Sequence, residues 1–118
     1  IWGRGAAGAK QPFATYFAKV RLTNVLDLTD PEVLLLLRLK FKDLYADWRG
    51  ASSPTKTQLL GLAVSAPHSN IAAIRYPSRA AQSTRTAATN LVIFPNQISA
   101  PDYVRILGPQ KRPLQAWP

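Results

Sequence analysis

The sequence of 118 residues contains no cysteine and no methionine, and it has one histidine, His68, and one glutamate, Glu32. Without cysteine there is no disulfide framework, no thiolate nucleophile and no cysteine-ligated metal. A single histidine gives little support to a histidine-based metal site or a Ser–His–Asp triad. His68 lies between a proline and a serine, a setting typical of a solvated loop. We therefore expect no metal site.

Long apolar runs are also missing. The longest, at 33–37, is far shorter than the run of about 18 residues that a membrane-spanning helix needs. The glycine-rich start has no apolar segment of the kind that signal peptides contain. Gly3, Gly5 and Gly8 match the spacing G-x-G-x-x-G, but no strand precedes them, so we do not expect a dinucleotide-binding loop. Residues 1–12 are predicted to be a flexible N-terminal segment, and the first residue, Ile1, leads us to expect a processed chain or part of a longer one.

Negative charge is scarce, and the formal net charge is +9. This balance favours an anionic partner, such as nucleic acid, an acidic protein or a phosphate-bearing ligand. The cations are spread along the chain and form no single block, and no interleaving of aromatic and basic residues like that of an RNA-recognition strand is expected.

What the chain does contain is enough apolar residues, 47%, to build the core of one domain. The apolar pattern predicts strands at 13–22, 25–28, 71–76, 91–94 and 103–107, and helices at 29–39, 43–48 and 56–65. The expected fold class is α+β, with one mostly antiparallel sheet and helices packed on one side. Residues 109–118 are predicted to be a C-terminal tail, in which Trp117 either docks or stays free.

Two helix starts carry capping signals. Thr29 and Glu32 have the spacing of a capping box, with Pro31 in the first turn, and Thr55 and Gln58 repeat that spacing. Glu32 thus has a structural role at a helix N-terminus, and we do not expect it to be catalytic. The leucines that follow it run almost all round the helix, which predicts burial on most sides.

The main functional signal lies between two predicted strands. The first strand ends at Pro77, which has no N–H for a sheet ladder, and Ser78 follows at once. Groups just past a strand end are held on a rigid scaffold and often bind or react, although a turn serine after proline is the commoner case. The segment 79–89 has no hydrophobic periodicity and is expected to be mobile without a ligand or partner.

Short motifs occur in a fixed order along the chain: V-L-D-L-T-D-P at 25–31, D-L-Y-A-D-W at 43–48, T-Q-L-L-G at 57–61, Y-P-S-R at 76–79 and N-L-V-I-F at 90–94. Together they resemble the RES domain family, which supplies the toxins of RES–Xre toxin–antitoxin pairs. The resemblance runs over residues 15–108. It implies a partial RES-like domain at 13–108, the C-terminal portion of a fold similar to that of ADP-ribosyltransferases.

RES toxins attack NAD⁺ at the nicotinamide–ribose bond, so the resemblance implies NAD⁺ as substrate, with no tightly bound cofactor. The reaction is hydrolysis, phosphorolysis or ADP-ribosyl transfer. It needs a cation for the pyrophosphate and a carboxylate for the charge that grows on the ribose. The resemblance makes Ser78 and Arg79 candidate NAD⁺-binding residues, although this chain has P-S-R-A where the family commonly has P-S-A-R.

Two further residues of the family's active site have no counterpart here. In the family, the arginine lies in an N-terminal segment upstream of anything in this chain, and the glutamate lies before the strand predicted at 13–22, where residues 1–12 contain no acid. The 118 residues alone are therefore expected not to turn over NAD⁺, whereas a chain that includes those residues is expected to be a toxin.

The resemblance also implies a partner, an Xre-like helix-turn-helix antitoxin, and a cytoplasmic location. Arg79 and Arg85 are the expected antitoxin contacts, the alternative being a solvated loop. The sequence leaves open whether the chain forms a homo-oligomer. A different interpretation also stands, in which the chain is a non-catalytic, basic structural or binding component of a larger assembly that contains RNA. Nucleic acid would then be a direct partner, and otherwise it is reached only through the antitoxin.

Overall fold

The computed structural model describes residues 14–45, 50, 52–78 and 88–118, which form two three-stranded sheets and three helices. The strands are β1 (Phe17–Arg21), β2 (Val25–Asp27), β3 (Ala73–Pro77), β4 (Thr89–Ile93), β5 (Tyr103–Leu107) and β6 (Pro113–Trp117), and the helices are α1 (Pro31–Leu36), α2 (Phe41–Leu44) and α3 (Lys56–Ser65). Short 3₁₀ turns occupy Pro95–Gln97 and Pro109–Lys111. The predicted α+β class, with mostly antiparallel pairing, is confirmed.

The sequence predicted a single sheet, whereas the described residues form two sheets. The terminal sheet has the order β1-β5-β6 and is antiparallel throughout, with Phe17 opposite Leu107 and Arg21 opposite Tyr103. The central sheet has the order β2-β3-β4. The two sheets separate between β1 and β2. These strands are only three residues apart, but β1 pairs with β5 and β2 pairs with β3.

The central sheet combines both pairing directions. β2 runs parallel to β3, with Asp27 opposite Arg75, and β3 runs antiparallel to β4, with Pro77 opposite Thr89. A parallel pair needs a long crossover, which the segment holding the three helices supplies. The carboxyl ends of β2 and β3 consequently lie at the same edge of this sheet.

Two apolar clusters form the core. The first joins the helices to the central sheet, and its buried members are Leu28, Leu34, Leu39, Val64 and Ile74. The second joins the two sheets, and its buried members are Ala72, Ile98 and Val104, with Ile93 and Trp117 packed against them. The positions of β3 and β5 are thus fixed by packing on apolar side chains.

Helix α3 has the predicted bounds and the predicted cap. The Thr55 hydroxyl accepts from the Gln58 N–H at 3.3 Å, and the Gln58 side-chain oxygen accepts from the Thr55 N–H at 2.9 Å. The cap predicted for α1 is wrong. Asp30, not Thr29, accepts from the Glu32 N–H, at 2.9 Å, because the Thr29 N–H and hydroxyl are both engaged by Asp27. Pro31 occupies the first helical position, as predicted.

The prediction that the leucine-rich helix is buried on most sides is also wrong. Leu34 is 3% exposed, but Leu35 and Leu36 are 77% and 83% exposed. A helix of six residues presents only one side to the first cluster, and in the described part of the chain no element covers the other side.

The end of the chain differs from the predicted tail at 109–118. The segment 113–117 is β6, which pairs with β5, and Trp117 is half-buried in the second cluster. His68 is exposed in the turn after α3, as predicted. The predicted flexible segment 1–12, the predicted helical position Trp48, and most of the predicted loop 79–89 lie outside the described residues.

None of the helices described has the length and apolar character needed to cross a membrane.

Candidate functional site

The parallel pairing of β2 and β3 places a polar group at one edge of the central sheet. We call this group the central-sheet edge, and it consists of Asp27, Thr29, Arg75, Ser78 and Thr89. Asp27 is the last residue of β2, and Ser78 is the first residue beyond β3. Binding groups collect at such an edge in sheets with parallel strands, because the strand ends hold the side chains in place.

Asp27 is the carboxylate of this edge. One of its oxygens accepts from the Thr29 N–H at 2.9 Å and from the Thr29 hydroxyl at 2.5 Å, and the other lies 3.5 Å from a guanidinium nitrogen of Arg75. The hydrogen bond from the Thr29 hydroxyl lowers the pKa of Asp27, and the Thr29 N–H and Arg75 lower it further against the opposing effect of partial burial. Asp27 is therefore ionised at neutral pH.

Arg75 is the cation of the edge and reaches across all three strands. Its Nη1 lies 3.5 Å from Asp27 on β2, and its Nε donates to the Thr89 hydroxyl on β4 at 3.4 Å. Both contacts are long, and the side chain is 49% exposed. A guanidinium has five N–H donors, so Arg75 can still bind an anionic ligand with the donors that these two contacts do not use.

Ser78 lies directly beyond the end of β3, as the sequence predicted. Its N–H donates to the carbonyl oxygen of Ala88 at 3.1 Å, so the ladder between β3 and β4 continues for one step past the proline. The residue is half-buried and thus held by the sheet. Its role in binding NAD⁺ stays a prediction. Arg79 and Arg85, the other two predicted site residues, lie outside the described residues.

Sequence reasoning missed Asp27, Arg75 and their contacts. A signal was present, since both residues sit near the ends of predicted strands. It could not be used because a mostly antiparallel sheet does not bring the ends of β2 and β3 together, whereas the parallel pair does. Within the described ranges, no three His, Asp or Glu side chains are grouped closely enough to hold a metal ion.

Comparison with known protein families identifies a family to which the chain belongs. The family model described as RES domain matches residues 4–116, which extends beyond the motif-bearing stretch 15–108 at both ends. No curated protein and no solved structure matches the chain.

Proposed function

Because the chain belongs to the RES domain family, we propose that it is part of the toxin of a toxin–antitoxin pair, and that this toxin degrades NAD⁺ at the nicotinamide–ribose bond when the family's arginine and glutamate are present. The observation that carries the proposal is the family match over nearly the whole chain, with Ser78 at the same sheet edge as an arginine and an ionised carboxylate. Ser78 and Arg79 are the proposed NAD⁺-binding residues.

The chemistry is a substitution at the ribose C1′. The C1′–N bond breaks, its electron pair goes to the nicotinamide nitrogen, and positive charge grows on the ribose. Water or phosphate then forms the new bond at C1′, or a protein side chain does so if the reaction is ADP-ribosyl transfer. Arg75 supports this proposal as a cation that can hold the pyrophosphate, since one guanidinium group can donate two parallel hydrogen bonds to phosphate oxygens.

The test is expression of the full-length native protein without its antitoxin, with measurement of cellular NAD⁺ and growth. We expect NAD⁺ loss and growth arrest. Ser78→Ala should slow NAD⁺ loss by about tenfold or more, because a hydrogen bond to a charged ligand is worth about 1.5–3 kcal/mol. Ser53→Ala, at an exposed position on the connection before α3, is the matched control and should leave the rate unchanged. Normal growth and normal NAD⁺ would contradict the proposal.

The proposed partner is an Xre-like helix-turn-helix antitoxin that blocks the NAD⁺ cleft. Arg79 and Arg85 are its proposed contacts, because they follow Ser78 in the sequence and carry positive charge. Co-expression of the antitoxin should restore both growth and NAD⁺.

A further inference from the structure

One face of the terminal sheet carries basic and aromatic side chains in alternation. We call it the basic face, and it consists of Phe17, Lys19 and Arg21 on β1, Tyr103, Arg105 and Leu107 on β5, and Lys111 after β5. Successive side chains of a strand point to opposite faces, so each trio shares one side of the sheet. The alternate residues Val104 and Ile106 belong to the second core cluster, which places the basic face on the outside.

The sequence did not reveal this surface because no single segment contains it. Lys19 of β1 lies directly opposite Arg105 of β5, and the two are separated by most of the chain. Each strand alone has only one aromatic residue and one or two cations on this side. Pairing of the strands creates the interleaved pattern that neither segment shows.

The basic face is open to solvent and contains a depression. Phe17 is 77% exposed, and Lys19, Arg105 and Lys111 are exposed as well. These four residues line a cavity of about 700 Å³. Cavities that hold small ligands have volumes of about 300–1,000 Å³, so this cavity can take a unit the size of a nucleotide.

Three of the four cations on this face, Lys19, Arg105 and Lys111, form no ion pair with a described residue. Like charges directly opposite each other on a sheet are unfavourable, yet Lys19 and Arg105 occupy such a pair. The ion pairs found in the described residues, Lys56–Asp43 and Arg75–Asp27, lie elsewhere. The fourth cation, Arg21, interacts with Asp102, whose pKa is lowered chiefly by hydrogen bonds from Thr23 and also by Arg21.

The segments outside the described residues contain little negative charge. Residues 1–13 and 79–87 contain no acid, and the only acid outside the described residues is Asp47. The first of these segments adds the cations Arg4 and Lys10. An anion from another molecule is thus the natural complement of the basic face.

We propose that the basic face binds single-stranded nucleic acid, a function beyond NAD⁺ degradation and at a different sheet. Phe17 offers an exposed ring on which an unpaired base can stack, and the cations around it can hold the phosphates. The Arg105 guanidinium lies 4.2 Å above the centre of the Tyr103 ring, which fixes it as a second flat surface for a base. A duplex would leave both flat surfaces unused, because its bases are already stacked.

The experiment measures binding of the full-length protein to fluorescent oligo(U) and oligo(dT) of about 12 nucleotides, within the site sizes known for small β-folds. Affinity is measured over a series of salt concentrations. If the four cations of the face each contact a phosphate, a plot of log K against log salt has a slope of about −3. The two oligonucleotides distinguish RNA from DNA.

Two variants and a control distinguish a specific binding site from nonspecific attraction of the oligonucleotide to a positively charged protein. Lys19→Gln/Arg105→Gln should halve the slope to about −1.5. Lys40→Gln/Lys42→Gln removes the same charge from exposed positions at the start of α2 and should leave the slope unchanged. Phe17→Ala should weaken binding about five- to 150-fold with no change in slope, because it removes stacking and no charge. None of the three proteins carries a substitution in the apolar core. A thermal unfolding midpoint equal to that of the wild type verifies that each is folded.

Several outcomes would overturn the proposal. These are no binding at low salt, an equal loss in both double variants, full affinity after Phe17→Ala, equal affinity for a duplex, or displacement of the oligonucleotide by polyglutamate at the same charge concentration. The last would indicate an acidic protein instead. Binding and NAD⁺ turnover are measured separately, so failure of either proposal is seen without reference to the other.

Discussion

At the scale of single residues, Asp102 ties β1 to β5 at one end of the terminal sheet. One of its carboxylate oxygens accepts from both the N–H and the hydroxyl of Thr23, each at 2.8 Å. Thr23 follows β1 in the chain and Asp102 precedes β5, so one carboxylate fixes the neighbouring ends of two paired strands. The side chain is buried, and its other oxygen has no hydrogen-bond partner among the described residues.

This arrangement makes the stability of the fold depend on pH. The Thr23 N–H, then the Thr23 hydroxyl, and Arg21 at longer range lower the pKa of Asp102 in the folded state, against the effect of burial. A depressed pKa contributes stability above the unfolded value, near 4, and that contribution is lost as pH falls through the folded value. We expect the urea midpoint to fall as pH drops from 5 to 3. Asp102→Asn should lower the midpoint at pH 7 and flatten the dependence, and a wild-type pH profile in this variant would contradict the assignment.

A second residue-scale prediction concerns the antitoxin. Reversing the charge at Arg85 should weaken binding of the proposed partner, because a contact that attracts an acidic group would then repel it. Calorimetric titration of the Arg85→Glu variant with antitoxin measures this. Arg38→Glu, a charge reversal at an exposed residue after α1, is the control. Equal affinities for wild type and Arg85→Glu would remove Arg85 from the interface.

Helix caps show how far sequence reasoning extends at this scale. For α3 the pattern Thr55–Gln58 identifies the cap because no other acceptor competes for those N–H groups. For α1 the same pattern fails, since Asp27 captures Thr29 and Asp30 takes over the cap. The outcome depends on the end of β2, which the local sequence cannot describe.

At the scale of elements, β6 illustrates what the pattern of residues could not predict. Its sequence, P-L-Q-A-W, has no regular alternation and lies between prolines. The chain reverses before it through Gln110 and Lys111, which have φ values of 61° and 58°. Gly108-Pro109 indicates a turn, but residues other than glycine seldom adopt such φ values, so the sequence does not indicate that the chain reverses here to pair with β5. By contrast, β5 has the predicted bounds because its alternation is regular.

The presence of β6 predicts a stability effect at a position that the sequence assigned to a tail. Trp117 packs against the second core cluster, so Trp117→Ala should lower the free energy of unfolding by about 2 kcal/mol, somewhat less than for a fully buried aromatic residue. Gln115→Ala, at an exposed position of the same strand, is the control and should change it by less than about 0.5 kcal/mol. Urea unfolding of both variants measures the difference. Equal stabilities would mean that Trp117 adds nothing to the core.

At the scale of the whole molecule, the α+β class was predictable because the apolar pattern groups the helices in one run between two runs of strands. The division into two sheets was not, because it depends on pairing between distant strands, which propensity does not encode. The same limit hid the central-sheet edge and the basic face. Ser78, by contrast, was placed correctly because a proline after an apolar run marks a strand end locally.

The proposed activity gives a prediction for the 118-residue chain as such. The resemblance places the family's glutamate ahead of the first strand, and residues 1–12 contain no acid. We therefore expect the purified 118-residue polypeptide to release no nicotinamide from NAD⁺, since the carboxylate that stabilises the ribose cation is missing. Chromatographic detection of nicotinamide, with an enzyme-free blank, measures this. Release above the blank would show that Asp27 or another group of this chain supplies the charge.

β1 is synthesised early and its partner late. Phe17 pairs with Leu107, so β1 stays without its neighbour while the ribosome adds roughly 90 more residues, which takes about 5–20 s at ordinary rates of translation. During that time the nascent chain can already form α3 and the β2–β3 pair, but β1 is an open edge that can pair with any other free strand. The terminal sheet therefore cannot form before β5 emerges, and during that interval the exposed edge of β1 is where a chaperone would protect the growing chain.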